Sequence, residues 1–471
     1  MQKFIPDPKR WAALALLCAA QFIVILDTSI IGVALPAIQA DLGFSASGLS
    51  WIFNAYVIAF GGLLLLGGRL SDLFGARRIF TTGFVILTAA SLLAGLATSQ
   101  EILLAGRALQ GIGAALIAPS ALTIVMRLFG HNGAELGKAF GFWGAAAAAG
   151  GSAGVFLGGV ITEWMAWQWT FLFNVPLGLI VLAAIPAVLR KSERARGKVD
   201  WFGAITVTGA LVSLVYAIVT IETAGLGSPL ILSLLGISLA LFVIFLIAQR
   251  VRREPLLPLG IFKAPNLAAG NLVMALLGAA WIPLWFFLNL YLQQILGLSA
   301  LASGLALLPM TVLIMIVMVG FSGKLIGRFG PKTNLILGLL LMGASLILFA
   351  SLPLDGSFVV NVLPASLLAA LGVALAYIPA TMSGMAGAKP EETGLASGLI
   401  NTTYQIGSAI GLAVMVVIST AGFGHGSAGA AEMLQGFQAA FQGAGVVAAI
   451  AALATLVLIR GGAAQREVPV G

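Results

Sequence analysis

The sequence has few charged residues, and this shortage alone excludes several classes of protein. Only 8% of its 471 residues are charged, whereas 60% are hydrophobic. A soluble globular chain carries about 25% charged residues, so the charge present is too little to cover a water-soluble surface. We therefore exclude a soluble enzyme, a disordered chain and a nucleic-acid-binding protein.

Cysteine and histidine are also nearly absent. Cys18 is alone, so it forms no intrachain disulfide and a secreted disulfide scaffold is excluded. His131 and His425 fall between apolar segments, which leaves no His/Cys cluster for a metal. The sequence also lacks a nucleophile elbow and a phosphate-binding loop. We expect no cofactor and no enzymatic activity, with an ion gradient, the proton gradient, as the energy source.

The chain instead contains long apolar runs. A helix needs about 20 apolar residues to cross a bilayer core that is about 30 Å thick. The runs are continuous rather than alternating, which favours helices over strands. Fourteen of them reach this length, and they cover residues 11–36, 50–70, 79–98, 101–126, 139–161, 168–189, 201–221, 229–248, 267–292, 302–322, 333–353, 358–386, 393–420 and 436–459. The sequence therefore predicts an all-α polytopic membrane protein with fourteen transmembrane helices.

The charged residues predict the orientation of the chain. With a cytoplasmic N-terminus, each of the 24 Lys and Arg residues except Arg107 lies on the cytoplasmic side or at a cytoplasmic helix end. This is the distribution that the positive-inside rule describes. The charged residues on the external side are all acidic, and they are Asp41, Glu101, Glu163, Glu222, Asp355 and Glu432. We therefore expect both termini to be cytoplasmic, and we attribute the net charge of +8 to topology and contact with anionic lipid.

A repeated basic turn divides the chain into halves. Residues 68–78 follow the second apolar run and residues 323–332 follow the tenth, and both stretches open with Gly-Lys/Arg-Leu and carry a later Phe-Gly. Two helical bundles that face each other across a midplane site are a known transporter architecture. We predict a six-helix N-terminal bundle at 1–189, a linker with two inserted helices at 190–262, and a six-helix C-terminal bundle at 263–471.

Asp27 and Arg107 are the two ionisable residues placed well inside predicted helices. A charge at the bilayer centre costs about 2.5–3.5 kcal/mol on insertion scales, so each is expected to face an interior or a wet cavity. The helical rise places Asp27 about 14 Å and Arg107 about 9 Å from the outer helix ends, within reach of each other. We interpret Asp27 as a proton-coupling site that Arg107 modulates. A static ion pair or a structural hydrogen bond is the alternative.

Two glycine-containing motifs are candidates for conformational roles. The tight charged turn after the second helix is interpreted as a cytoplasmic gate, with a solvated loop as the alternative; its residues are Gly68, Asp72, Gly75, Arg77 and Arg78. The fifth helix repeats small residues every four positions, which is typical of close helix approach. Either packing or a hinge explains that pattern, which is formed by Gly150, Gly154, Gly158 and Gly159.

Aromatic and amide side chains in both halves are candidates for a substrate cavity, because amphipathic ligands prefer apolar walls with a few polar groups. Packing against lipid or core is the alternative for each of them. The candidates are Tyr56, Trp143, Trp285, Phe286, Asn289, Tyr291, Asn401 and Gln405.

Several segments, in order, resemble those of one family. Residues 26–36 resemble a helix-one signature, and residues 107–113 resemble a helix-four motif whose arginine is implicated in proton coupling. Residues 68–78 resemble the superfamily's cytoplasmic loop motif, and residues 167–178 are similar to a further family mark. The chain is therefore identified as similar to the 14-helix drug:proton antiporters of the major facilitator superfamily, the multidrug and quaternary-ammonium exporters.

This resemblance implies a function. It implies a proton-coupled efflux antiporter of amphipathic, cationic or neutral small molecules that works by alternating access and confers antibiotic resistance. A dedicated exporter or symporter of one metabolite or natural product is the alternative, and a scaffold, channel or lipid-handling protein is a third. The expected partners are a small-molecule substrate, protons and membrane lipid, but no nucleic acid. We expect a multi-pass monomer in the bacterial cytoplasmic (inner) membrane, with a periplasmic adaptor left open.

Overall fold

A computed structural model describes residues 7–44, 46–190, 200–225, 227–252, 255–389, 392–420 and 429–460. Within these ranges the chain is helical and contains no β-strand. Most of the long helices are apolar all round and have no polar stripe along one side. This is expected for a helix that is surrounded by lipid and by other helices. The predicted all-α membrane fold is confirmed.

Among its described residues, the N-terminal half contains eight helices that make six membrane crossings. The first crossing is interrupted at Ile30, and the sixth is preceded by a single helical turn. The helices are α1 (Arg10–Ser29), α2 (Ile31–Leu42), α3 (Ala46–Phe74), α4 (Ala76–Gly95), α5 (Gln100–Phe129), α6 (Gly133–Trp164), α7 (Trp169–Leu172) and α8 (Asn174–Val188).

Two further crossings are the inserted pair, α9 (Trp201–Ala224) and α10 (Pro229–Val251). Helix α9 packs against α3 of the first half and also against α16 of the second half. Its contact with α3 is close, because a Cβ atom at Gly62 would lie 2.7 Å from Cγ2 of Val212. Of the residues in the apolar central stretch of each helix, only 17% are buried in α10, against 72% in α5. Helix α10 therefore lies at the lipid-facing periphery.

The C-terminal half follows a short 3₁₀ turn, Leu259–Lys263. Its helices are α11 (Leu267–Leu290), α12 (Ala300–Ala306), α13 (Leu308–Ile316), α14 (Ser322–Phe349), α15 (Leu363–Gly384), α16 (Thr393–Thr420) and α17 (Ala430–Leu458). Three π-helical turns, Tyr291–Ile295, Val317–Phe321 and Phe358–Val362, lie at the ends of these helices.

The number of crossings depends on one glycine. In the part of the chain that the structure describes, thirteen helices are long and apolar enough to cross a membrane, but one of them, Leu301–Phe349, has 49 residues. At 1.5 Å per residue it would extend about 74 Å, more than twice the bilayer core. Gly330 interrupts it with φ 76° and ψ 162°, a conformation outside the helical region. The segment therefore makes two crossings, and the fourteen predicted crossings are present.

The two halves meet through a few helices. Helix α6 of the first half packs along α13 and α14 of the second, while α3 and α5 pack against α16. Glycines allow the two halves to approach each other most closely at one end of the helices. The positive-inside rule identifies this end as the cytoplasmic one. A Cβ atom at Gly141 would overlap the carbonyl oxygen of Met318, and one at Gly68 would overlap that of Gly394. The halves are therefore closed against each other at their cytoplasmic ends.

Candidate functional site

Asp27 lies near the end of α1, and its carboxylate is fully buried inside the N-terminal half. Its Oδ2 accepts a hydrogen bond from Nη1 of Arg107 at 3.0 Å. Its Oδ1 accepts from Nε2 of Gln110 at 2.7 Å and from Nδ2 of Asn174 at 2.6 Å. We call these four residues the Asp27 cluster. One carboxylate is thus held by one cation and two neutral amides, which satisfies the charge and most of its lone pairs.

Helix α5 positions two of these donors through its periodicity. Arg107 and Gln110 are three residues apart, so they lie on one face, and Arg107 Nη1 also donates to Gln110 Oε1 at 2.8 Å. Gln110 is tied to α4 as well, because its Nε2 donates to Oγ of Ser91 at 2.9 Å. The amide therefore cannot reorient without breaking hydrogen bonds to three neighbours.

Arg107 is fixed from a second direction by α3. Its Nε donates to the carbonyl oxygen of Ile52 at 2.9 Å, and its guanidinium carbon lies 4.6 Å from the centre of the Tyr56 ring. An arginine over an aromatic face is stabilised by the ring quadrupole, most strongly where water is excluded. Tyr56 is itself buried, so it belongs to the wall of the Asp27 cluster and not to an open cavity.

Helix α6 packs directly against the part of α1 that carries Asp27. A Cβ atom at Gly150 would lie 2.6 Å from the carbonyl oxygen of Phe22, and one at Gly154 would lie 2.6 Å from Cβ of Ser29. Both positions therefore need glycine, as is typical of small-residue helix contacts. A movement of α1 at Asp27 would therefore press on α6, because the two helices are in close contact there.

The same helix contacts the second half. Ser152 Oγ and Thr311 Oγ1 share a short hydrogen bond between α6 and α13, and a Cβ atom at Gly159 would lie 3.3 Å from Cδ1 of Leu301. Gly158 is buried on the same helix. Helix α6 therefore connects the segment that carries Asp27 to the C-terminal half.

Asp72 forms a direct link between the halves at their cytoplasmic ends. Its Oδ1 accepts from the backbone N–H of Gly394 at 2.8 Å and its Oδ2 from that of Leu395 at 2.8 Å. These amides belong to the first turn of α16, where unpaired N–H groups and the helix dipole favour a carboxylate. Asp72 is fully buried, and Arg69 and Arg127 interact with it electrostatically.

The other residues of the predicted gate lie further along the turn. Gly68 is pressed against α16, where Cα of Gly398 would lie 3.0 Å from its Cβ atom. Gly75 has φ 91° and starts α4, a conformation that glycine adopts without strain. Arg77 is half-buried and Arg78 is exposed. The structure therefore brings Gly68 and Asp72 into the contact between halves, and it places Arg78 at the solvent-exposed side of the turn.

The predicted cavity residues are not one group. Tyr291 and Trp143 are buried, and the Tyr291 hydroxyl donates to the carbonyl oxygen of Pro353 at 2.7 Å, so Tyr291 lines no open cavity in this conformation. Phe286 is 41% exposed and makes an edge contact with Phe287.

The remaining candidates are half-buried and lie on two helices of the second half. On α11, Trp285 makes an edge contact with Trp281, and Asn289 accepts from Ser303 Oγ at 2.8 Å. On α16, Asn401 donates to the carbonyl oxygen of Ser397 at 2.8 Å, and Gln405 is also half-buried.

Four participants were missed by reasoning from the sequence: two side chains and two backbone amides. Gln110 and Asn174 lie within motifs that were recognised, but as neutral amides they were not considered as partners of a buried charge. The N–H groups of α16 that donate to Asp72 belong to the backbone, so no residue type in the sequence marks them. A search for polar residues one turn from each buried charge would have found Gln110.

The fold and the Asp27 cluster together define a class of protein. The chain consists of two helical bundles with an inserted pair, a buried ion pair in one bundle and a hydrogen-bonded contact between the bundles at Asp72. The sequence pattern that defines the Major Facilitator Superfamily matches residues 17–412. The chain belongs to this superfamily, and it is a transport protein rather than an enzyme.

Several relatives are similar over almost the whole chain. The puromycin resistance protein pur8 of Streptomyces alboniger is 37% identical over 418 residues, which are 88% of this chain and 83% of the relative. The cephamycin export protein CmcT of Amycolatopsis lactamdurans is 37% identical over 451 residues, which are 95% and 92% of the two chains. The lincomycin resistance protein of Streptomyces lincolnensis is 33% identical over 97% of this chain and 94% of its own.

Solved structures show the same fold at low sequence identity. The human organic anion transporter MFSD10 superposes with a TM-score of 0.69 at 15% identity, covering 95% of this chain and all of that one. The proton:xylose symporter XylE gives a TM-score of 0.67 at 14% identity and covers 94% of each chain. At this identity the likeness concerns the fold alone.

Proposed function

We propose that this protein is a proton-coupled efflux antiporter of amphipathic small molecules, cationic or neutral, with Asp27 as the group that carries the proton. The observation that supports the proposal most strongly is the Asp27 cluster, a fully buried carboxylate paired with one buried arginine inside the membrane-spanning part of the first half. Ionisable residues at such depth are costly, and they are typical of proton relays in transporters. The energy source in this proposal is the proton gradient, and no cofactor is required.

Protonation would change the forces on α1. In the charged state, Arg107 attracts Asp27 at 3.0 Å in a region of low dielectric constant. A proton on Asp27 removes that attraction and leaves the charge of Arg107 without its partner. Since α1 contacts α6 backbone to backbone at Gly150 and Gly154, we expect a displacement of α1 to move α6 against α13. This is a physical route from proton uptake to the contact between halves.

Opening toward the cytoplasm then requires the hydrogen bonds of Asp72 to break. Two charge-assisted hydrogen bonds hold α3 to α16 in the conformation described here. A rocking motion of the halves would separate these groups and admit substrate from the cytoplasmic side. With one buried acid in the cluster, we expect about one proton per transport cycle.

The substrate class is inferred from the relatives. Their names include puromycin and lincomycin resistance and cephamycin export. By analogy, we propose that this chain exports an amphipathic compound and contributes to antibiotic resistance. The half-buried aromatic and amide side chains of α11 and α16 are the proposed substrate contacts. We place the protein in the bacterial cytoplasmic membrane as a monomer.

The relatives also favour a second candidate function. Each of their names mentions one compound, so a dedicated exporter of a single natural product is equally consistent with them. A panel of chemically diverse drugs distinguishes the two: protection against several unrelated compounds supports a multidrug exporter, whereas transport of one compound supports a dedicated one. A symporter would move proton and substrate in the same direction in the assay described next.

The test is substrate-driven proton release from everted membrane vesicles. After the vesicles have been acidified by respiration, an added substrate should release protons from wild-type vesicles, and Asp27→Asn should abolish the release because the side chain can no longer be ionised. Asp355→Asn makes the same chemical change at an exposed external acid and should behave like the wild type. Wild-type release by Asp27→Asn would exclude Asp27 from the mechanism.

A further inference from the structure

A cavity of about 400 Å³ lies between the start of α11 and the end of α17, away from the Asp27 cluster and the contact between halves. The chain that enters α11 from the 3₁₀ turn forms one wall, and the last turn of α17 forms the other. The residues that define it are Phe262, Lys263, Asn266, Leu272, Leu458 and Arg460. By the positive-inside rule this end of the protein faces the cytoplasmic leaflet.

Asn266 lines the cavity and has an unfavourable backbone conformation. It has φ 67°, and it is the only residue other than glycine with a positive φ among those that the structure describes. Its Oδ1 accepts from the backbone N–H of Arg460 at 2.8 Å, and its Nδ2 donates to the carbonyl oxygen of Arg460 at 3.1 Å. A left-handed conformation costs roughly 1–2 kcal/mol for most residues, although less for asparagine. These two hydrogen bonds hold the backbone of Arg460 against Asn266, at the cavity that Lys263 also lines.

Two cations therefore line one cavity. Lys263 and Arg460 are both exposed, and the ion pairs found in the described part of the chain involve neither of them. Lys332 lies at the same end of α17, where its Nζ donates to the carbonyl oxygen of Leu456 at 2.8 Å. An anion bound in this cavity would be attracted by both cations and would gain charge-assisted hydrogen bonds.

The rest of the cavity is apolar and faces outward. Phe262, Leu272 and Leu458 are 37%, 46% and 47% exposed, which is far more than core residues of this chain. Cations beside exposed leucine side chains at the cytoplasmic membrane boundary match one amphipathic molecule, an anionic phospholipid whose phosphate lies between the cations and whose acyl chains follow the leucines. Basic pockets between transmembrane helices on this side of a membrane are suited to such headgroups.

We propose that this cavity is a binding site for an anionic phospholipid of the cytoplasmic leaflet, held by Lys263 and Arg460. The site joins the linker that follows the inserted pair to the last helix of the second half. A bound lipid therefore fastens that linker to the C-terminal bundle. The proposal does not depend on proton coupling or on the identity of the exported substrate.

The test is lipid binding to the detergent-purified full chain, followed by native mass spectrometry. The probes are dioleoylphosphatidylglycerol, dioleoylphosphatidylcholine and inorganic phosphate. Each basic residue near an anionic headgroup contributes about fivefold in affinity, so Lys263→Gln with Arg460→Gln should weaken phosphatidylglycerol binding about 25-fold. Arg250→Gln removes an exposed cation of the same face outside the cavity and should change binding less than twofold. Lys263→Arg should retain binding.

Several outcomes would overturn the assignment. Equal binding of phosphatidylcholine would show that the charge of the headgroup is not recognised. An equal loss in Arg250→Gln would indicate general attraction to a basic surface. Competition by inorganic phosphate at the same concentration as lipid would indicate a free-anion site. Because both substituted side chains are exposed, the variants should fold, and an unchanged elution profile in size-exclusion chromatography checks that they do.

Discussion

The two halves of the molecule share a fold but differ in where they hold charge. The first half buries Asp27 and Arg107 between its helices and uses Asp72 at the contact with the second half. The second half has no acid from residue 255 to residue 354, and its buried polar groups there are neutral, such as Asn271 and Ser303. We propose that this difference reflects a division of roles, in which the first half responds to protons and the second half provides the surface against which it moves.

The repeated turn shows the same asymmetry at one position. Gly75 and Gly330 are the eighth residues of the two copies, and both have positive φ, 91° and 76°. The fifth residue is Asp72 in the first copy and Gly327 in the second. The backbone turn is therefore conserved between the halves, whereas the carboxylate that binds the opposite half is present once.

Loss of the buried cation should have the largest effect. Arg107→Gln leaves the Asp27 carboxylate buried without its partner, and breaking a buried pair in this way costs about 3–5 kcal/mol. We expect a large fall in the thermal unfolding midpoint of the purified protein and loss of transport. The comparison variant is Asn271→Ala, which removes neutral hydrogen bonds of the second half worth about 0.5–1.5 kcal/mol each.

A double variant separates charge from packing. Asp27→Asn combined with Arg107→Gln leaves no charge in the Asp27 cluster, so its unfolding midpoint should recover toward the wild-type value while proton-coupled transport remains absent. If Asn271→Ala destabilises the protein as much as Arg107→Gln does, the proposed difference between the halves is wrong.

The next largest effect is expected at the contact between halves. Asp72→Ala removes two hydrogen bonds to a charged group, which typically contribute about 1.5–3 kcal/mol each. Since every 1.4 kcal/mol changes an equilibrium tenfold, the ratio of the cytoplasm-open to the closed population should rise roughly 10²- to 10⁴-fold. Spin labels at the cytoplasmic ends of α3 and α16 measure this as a longer distance. Gly327→Ala, at the equivalent position of the repeat with open space around its Cβ atom, should leave the distance unchanged.

A smaller effect is expected where α6 contacts α1. Gly154→Ala places a methyl group 2.6 Å from Cβ of Ser29, and such overpacking costs about 1–3 kcal/mol. Transport should slow because α1 can no longer approach α6. Gly151→Ala adds the same methyl group on the same helix, 3.9 Å from Cγ2 of Ile25, and should transport normally. Equal rates in the two variants would show that the close contact is not needed.

The sequence predicted the crossings well because hydropathy and the positive-inside rule report on the bilayer, which acts on every segment. It also predicted that Asp27 and Arg107 lie within reach, because helical rise converts sequence position to depth. The hydrogen bonds of Asp72 to Gly394 and Leu395 could not be predicted, since backbone amides are present in every residue and these lie more than 300 positions away. The burial of Tyr291 depends on packing around Pro353, which the apolar pattern does not encode.

The most direct test of the central claim is whether Asp27 changes its ionisation. Infrared difference spectroscopy of the protein in lipid, recorded between acidic and alkaline buffer, detects the carbonyl stretch of a protonated carboxyl group. We predict a carboxyl band that appears at acidic pH, shifts when substrate is added and is missing in Asp27→Asn but present in Asp355→Asn. An identical difference spectrum for the wild type and Asp27→Asn would contradict the claim that this carboxylate carries the proton.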